Sequence, residues 1–247
     1  MDKQHLLESP SGVLWNIYID ENNHLVYSRR QNRVWSSVSL IDKFNIKDFS
    51  STIDIDEKVH IVAQTSTKQL IYYQWNGVKW LYSIITTIRS RFQDITFIDI
   101  SSNGERIHIL YHVATTLYQS VDVLYHYYGD GFDWQGGKIL SFSSEDNISI
   151  RNTHWSDIHY MNLYYSQKKD DETVIYRLYF DKKDYTWSRP TSIFHIPMPI
   201  EDIQICLDGK KNEHVIGVNL HKGIYTLYYI SNKNKQTTIS SQPKPFM

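Results

Sequence analysis

Apolar and polar residues alternate in short runs along the chain, and no stretch carries the three-to-four-residue spacing of an amphipathic helix of normal length. The segment Ser51-Thr-Ile-Asp-Ile-Asp56 alternates as a half-buried strand does, with Glu57-Lys58 turning the chain behind it. Val59–Gln64 is predicted as a second strand, Leu70–Trp75 as a third and Lys79–Thr86 as a fourth. Between the last two, Asn76-Gly77 predicts a type I′ hairpin, in which both central residues take positive φ. Asp130-Gly131 repeats that turn chemistry farther along.

This four-strand pattern recurs. A polar turn followed by tryptophan ends at Trp35, Trp80, Trp134 and Trp187, spaced 45, 54 and 53 residues apart. Eight residues before these tryptophans stand Tyr27, Tyr72, His126 and Tyr179. A second marker keeps the same phase: His60, His108, His159 and His214 each open an apolar stretch. A fifth, degenerate copy has Tyr228 and a polar turn over 231–235, with Gln236 in the tryptophan place. Four antiparallel strands per unit of about 50 residues is the pattern of a β-propeller blade. The expectation is an all-β, five-bladed β-propeller with four-stranded antiparallel blades. It forms a single domain over 1–247, with blades at 1–45, 46–92, 93–145, 146–198 and 199–247 and a tail at 240–247. A β-sandwich is the alternative, although sandwiches do not usually repeat a four-strand unit five times.

Composition narrows the function. With 26 Lys+Arg against 27 Asp+Glu, the chain lacks the basic footprint of a general nucleic-acid or anionic-membrane binder. A single cysteine, Cys206, leaves no internal disulfide framework; it sits in the alternating run Ile203-Gln-Ile-Cys-Leu and is expected to be a small buried hydrophobe. No apolar run reaches membrane-spanning length, and the first twelve residues lack the apolar core of a secretory signal, which makes cytoplasmic the default location. The aromatic load is high, at 19 Tyr, 9 Phe and 7 Trp.

Units of the type Ile-Asp-Ile-Asp-x-x-Val-His-Ile-Val, then Leu-Ile-Tyr-Tyr-x-x-Asn-Gly-x-x-Trp, resemble the repeats of bacterial sialidase-like and lectin-like propellers. In length the chain is similar to five-bladed lectins such as tachylectin. That resemblance implies glycan pockets repeated around the fold. The sialidase Asp-box (Ser-x-Asp-x-Gly-x-Thr-Trp) is missing, Asp184-Tyr185-Thr186-Trp187 matching only its tail.

Each candidate side chain has two readings. Trp80, Trp134 and Trp187, like Trp35, would stack sugar rings, or would pack blade on blade; the second is favoured because repeat markers usually serve the repeat's own core. Trp75, beside its turn, is expected near an edge and partly exposed as a contact residue, with Trp155 and Trp15 as lesser candidates and Tyr73 and Tyr128 as further ligand contacts. The repeated histidines sit too far apart to share a metal and are expected to hydrogen-bond neighbouring strands. No metal or other cofactor is expected. Asp54, Asp56, Asp99, Asp157, Asp202 and Asp208 are placed on inner strands, where a pair would be the minimum for a glycosidase. The expected function is a non-catalytic, carbohydrate-binding module with aromatic pockets between blades. The alternatives are a protein-interaction scaffold or, less favoured, a glycosidase. The expected partner is a glycan or a protein, not nucleic acid or membrane.

Overall fold

The computed structural model describes residues 3–88, 93–115, 121–143, 146–157, 159–221, 224–231 and 237–243. Among these, regular structure is strand, and no helix is long and apolar enough to cross a membrane. Sheet one holds β1 (Gln4–Glu8), β2 (Leu14–Ile19), β3 (Leu25–Gln31), β4 (Val34–Trp35) and β5 (Ser39–Asp42). Sheet two holds β6 (Ile46–Ile53), β7 (Val59–Thr65), β8 (Gln69–Trp75) and β9 (Trp80–Thr87). Sheet three is β10 (Gln93–Ser102), β11 (Ile107–Thr115), β12 (Val121–Gly129) and β13 (Trp134–Ser143). Sheet four is β14 (Ile148–Trp155), β15 (Tyr160–Lys169), β16 (Glu172–Asp181), β17 (Thr186–Trp187) and β18 (Thr191–Ile196). Sheet five is β19 (Asp202–Leu207), β20 (Glu213–His221), β21 (Ile224–Ser231) and β22 (Thr237–Pro243). Strands pair antiparallel in sequence order within each sheet.

In sheets one and four the fourth strand is broken into two pieces that both pair with the third. A serine bridges each break. Ser36 Oγ accepts the Arg29 N–H at 3.1 Å and Ser188 Oγ accepts the Tyr179 N–H at 3.0 Å, so the ladder donor is satisfied while the strand bends away.

The chain forms two compact units, Met1–Ser141 and Phe142–Met247. In the first, sheet two is covered on both faces, and β7 is buried along its whole length. Period-two alternation sends Ile61, Ala63, Ile71 and Tyr73 towards Trp15, Ile17 and Leu25 of sheet one. The residues between them, Val62, Leu70 and Tyr72, pack on Ile98, Ile109 and Tyr111 of sheet three. In the second unit, Tyr164, Ile175 and Phe194 of sheet four meet Ile203, Ile205 and Val215 of sheet five.

Several sequence expectations shift locally. The strand predicted over 51–56 ends at Ile53, because the Asp54 carboxylate accepts the Lys58 N–H at 2.8 Å and starts the turn early. The Asn76-Gly77 turn is not type I′: only Gly77 has positive φ, and the Asn76 side chain caps a four-residue loop by accepting the N–H groups of Val78 and Lys79. Asp130 does the same for Phe132 and Asp133, with Gly131 at positive φ. Residues 240–243, expected in a tail, belong to β22 and pair with β21. The boundaries expected at residues 92, 145 and 247, the tail's last four residues and the Gln236 position lie outside the described residues.

Cys206 is exposed rather than buried. Ile203 and Ile205 face inward, so strand alternation turns Cys206 outward with Gln204. Iodoacetamide is expected to label the folded protein stoichiometrically at this one thiol; labelling only after denaturation would contradict this placement.

Candidate ligand sites at the strand ends

The sheet registers align a set of side chains at one end of every sheet. Near the start of the second strand stand Trp15, His60, His108 and His214, each one residue in, and Asn162, two residues in. Directly opposite on the third strand stand Arg29, Gln74, Tyr128, Tyr179 and Ser231. Two residues earlier on that strand come Tyr27, Tyr72, His126, Arg177 and Tyr229.

In sheets two, three and five a histidine of this set bonds its neighbour on the third strand. His60 Nδ1 lies 2.6 Å from the Tyr72 hydroxyl, with its Nε2 2.9 Å from Asp54. His214 repeats the arrangement with the Tyr229 hydroxyl at 2.5 Å and Asp208 at 3.3 Å. His108 Nδ1 instead meets His126 Nε2 at 3.0 Å, the two rings stacked in a fully enclosed site. Three of the repeated histidines thus bond neighbouring strands through ring nitrogens. The fourth marker, His159, is different: it sits exposed in the turn before β15, and Asn162 holds the equivalent place. The fixed eight-residue offset slips by two residues in the same sheet, where the loop before Trp187 is longer, so Arg177 rather than Tyr179 corresponds to Tyr72. Among the described residues no group of three or more His, Cys, Asp or Glu is placed to hold a metal.

Burial pulls the His126 imidazole well below the ordinary histidine range, and the facing His108 acts in the same direction. His60 is lowered too, by burial acting against the raising influence of Asp54. A histidine kept neutral when folded but free to take a proton when unfolded gives stability that is full above a pH of about 6.5 and is lost as the pH falls below it. The loss is about 1.4 kcal/mol per pH unit per histidine until the folded form itself titrates. The melting temperature is expected to drop by roughly 5 °C between pH 7.5 and 5.5, above the range where carboxylates titrate. A flat or rising profile would contradict the burial of this pair.

Depressions also lie beside two of these bonded sets, one of about 500 Å³ lined by Asp208, His214, Tyr229 and Ser231 and one of about 240 Å³ lined by Asp54, His60 and Gln74. Sheets four and one have no histidine bond at the equivalent place, and each lines a depression whose walls carry an exposed tyrosine pair or an arginine on two indoles. In the second unit, Ser156, Tyr160, Asn162, Arg177, Tyr179 and Asp181 of sheet four, with Leu207 and Lys211 of sheet five, line a depression of about 400 Å³. Tyr160 and Tyr179 stand edge to face at 5.8 Å and are both exposed. Asp181 is the main influence raising the Tyr160 phenol, which therefore stays a hydrogen-bond donor. Arg177 donates to Glu213 at 2.7 Å, and Glu213, only 5% exposed, also accepts from the Tyr164 hydroxyl at 3.2 Å. Lys211 is paired with Asp157 at 3.0 Å. Both cations of this depression are thus neutralised.

In the first unit the corresponding depression, about 420 Å³, lies between sheets one and two. Trp15 and Trp75 are among its lining residues, and the Arg29 guanidinium lies over both indoles at 5.2 and 5.3 Å. Arg29, Arg177 and Asn162 carried no repeat marker. In sheet four the marker His159 kept the spacing regular and masked them, and in sheet one no histidine marker was present.

The residues singled out from sequence divide differently from expectation. Trp75 is 9% exposed and packs against Trp15 and Trp80, so it is a core residue with one edge on the depression, not an exposed loop contact. Tyr73, 1% exposed, faces sheet one and cannot touch a ligand without the sheets parting. Trp80 packs on Tyr27 of the preceding sheet at 5.5 Å and Trp134 on Tyr72 at 5.1 Å, so these repeat tryptophans join sheet to sheet. Trp187 lies against Phe180 at 5.3 Å, half-buried. Trp155 is half-buried at the end of β14, and Tyr128 is half-buried beneath Arg106. None of Trp80, Trp134, Trp155, Trp187 or Tyr128 lines the depression of sheet four or that of sheet one. Of the carboxylates, Asp99 and Asp202 are on strands, whereas Asp54, Asp56, Asp157 and Asp208 sit in turns, three of them accepting backbone N–H bonds there.

Repeated four-stranded antiparallel sheets packed face on face within each unit define the β-propeller class. Solved structures agree over nearly the whole chain. An ulvan lyase, a polysaccharide lyase bound to a GlcA(1-4)Rha3S saccharide, is similar with a TM-score of 0.68 and 8% identity, over 98% of this chain and 70% of that one. An α-L-arabinanase from Penicillium chrysogenum, complexed with arabinobiose, gives 0.63 and 10%, over 96% and 80%. The Aleuria aurantia lectin, a six-bladed β-propeller with its own mode of fucose recognition, gives 0.56 and 14%, over 100% and 80%. At these identities the likeness is one of fold. No family model and no curated protein matches the chain.

Proposed function

We propose that each of the five sheets is one propeller blade and that the protein is a non-catalytic carbohydrate-binding module. The observation that carries this is the tyrosine-lined depression of the second unit. Two exposed tyrosine rings offer apolar faces to a pyranose, and Asn162, Ser156 and Asp181 stand beside them as hydrogen-bonding groups. Glu213 fixes Arg177 in advance, so little side-chain freedom is lost when a sugar hydroxyl accepts from the guanidinium. With Arg177 and Lys211 neutralised by acidic partners, the site suits a neutral sugar. The solved neighbours act on or bind saccharides, as their own descriptions state, which supports a glycan as the partner here.

Affinity electrophoresis through gels containing neutral polysaccharides tests the proposal. The wild type is expected to be retarded and released by free sugar, with the polysaccharide chains unshortened, while Tyr179→Ala migrates freely with its melting temperature unchanged. Shortened chains would make the protein an enzyme, and sugar-insensitive migration in every gel would remove the carbohydrate reading.

A further inference from the structure

The depression of the first unit differs chemically from its counterpart. Among the described residues the Arg29 guanidinium has no hydrogen-bond or ion-pair partner; its contacts are the two indole faces of Trp15 and Trp75. An arginine held between two indoles whose planes are inclined at 62° is positioned by cation–π attraction, with its N–H donors unpaired among the described residues. At the aligned position the other sheets carry Gln74, Tyr128, Tyr179 and Ser231, so this is the one cation of the set. A rigid planar fork with open donors matches a carboxylate, which it can bind through two parallel N–H···O bonds.

The rest of the lining narrows the ligand further. Asp56 and Glu57 stand at the edge contributed by sheet two, with Lys58 3.4 Å from Asp56. Those carboxylates repel a densely charged anion such as a phosphate or a polysulfate. Carboxylates can also accept hydrogen bonds from hydroxyl groups, and the lining includes the Ser11 hydroxyl and the Asn76 amide, whose oxygen is taken by its own turn and whose N–H groups can donate. A ligand that satisfies both sides carries one carboxylate and several hydroxyls.

We infer that the first unit holds a second ligand site, at Arg29 over Trp15 and Trp75, which takes the carboxylate of an acidic sugar such as a uronate. This site is separate from the neutral-sugar site of the second unit, and either can stand without the other.

The test is a titration of protein labelled with 15N at tryptophan, whose seven indole N–H signals report on the site. Glucuronate is expected to shift the Trp15 and Trp75 signals saturably, with glucose and acetate at least tenfold weaker. Arg29→Lys keeps the charge and stem but loses the fork, and is expected to weaken glucuronate at least tenfold with the melting temperature retained. Arg29→Gln should abolish the shifts. Tyr179→Ala should leave them unchanged while removing neutral-sugar binding. Absence of a saturable shift, equal response to glucose or to acetate, or full binding by Arg29→Lys would each overturn the assignment. Loss of neutral-sugar binding alone bears only on the other site.

Discussion

Trp75→Ala is expected to destabilise the protein by about 4 kcal/mol, in the range for removing a large aromatic side chain from a packed core. The indole sits among Trp15, Tyr27 and Trp80, with ring centroids 5.8, 6.0 and 5.6 Å away, and carries the Arg29 guanidinium at 5.3 Å. A small domain has only about 5–15 kcal/mol of net stability, so the loss should appear as a large drop in urea midpoint. Trp35→Ala is the matched comparison: this repeat tryptophan is 44% exposed, and its loss should cost about 1 kcal/mol or less. Equal effects at the two positions would contradict the assignment of Trp75 to the core. Any loss of ligand in Trp75→Ala therefore has to be read against its folding, which makes it a poor probe of binding.

Glu213→Ala is expected to cost about 2–3 kcal/mol and to weaken ligand binding in the second unit at least tenfold. The Tyr164 hydroxyl, fully buried, loses its acceptor, and a buried hydrogen-bonding group left unmatched costs about 1–3 kcal/mol. Arg177 loses the carboxylate that orients it, but its side chain is 38% exposed, so water screens much of the electrostatic loss. Tyr164→Phe in the same background should recover part of the stability and none of the binding, which separates the two roles. Urea denaturation with sugar titration on the three proteins measures both; undiminished binding in Glu213→Ala would sink the role given to Arg177.

The fold was legible because its strongest signals are local and repeated. The tryptophan at the start of each of the first four outer strands marks a real structural position, and Trp80 and Trp134 show why it recurs: each fills the contact with the preceding sheet. The histidine marker was legible for the same reason at His60, His108 and His214, where a ring nitrogen closes a bond across the strand. Sites are a different matter. They arise where the repeat fails, and a failure looks like noise in one sequence. His159 held the count in sheet four, hiding that Asn162 and Arg177 occupy the structural positions of the histidine and its partner. Exposure was misjudged at Trp75 and Tyr73 because a central sheet with both faces covered buries alternate residues on either side, whereas the turn beside Trp75 suggested an edge. Cys206 was misjudged in the opposite sense. Its neighbours are apolar, but the period of two places it on the other face.

The most direct test of carbohydrate binding at an open strand-end site is a glycan array probed with the wild type and Tyr179→Ala, the two matched for melting temperature. The predicted result is selective binding of neutral glycans by the wild type, lost at least tenfold in Tyr179→Ala. Binding that is unaffected by Tyr179→Ala would contradict the site, and no selective binding by the wild type would contradict the function.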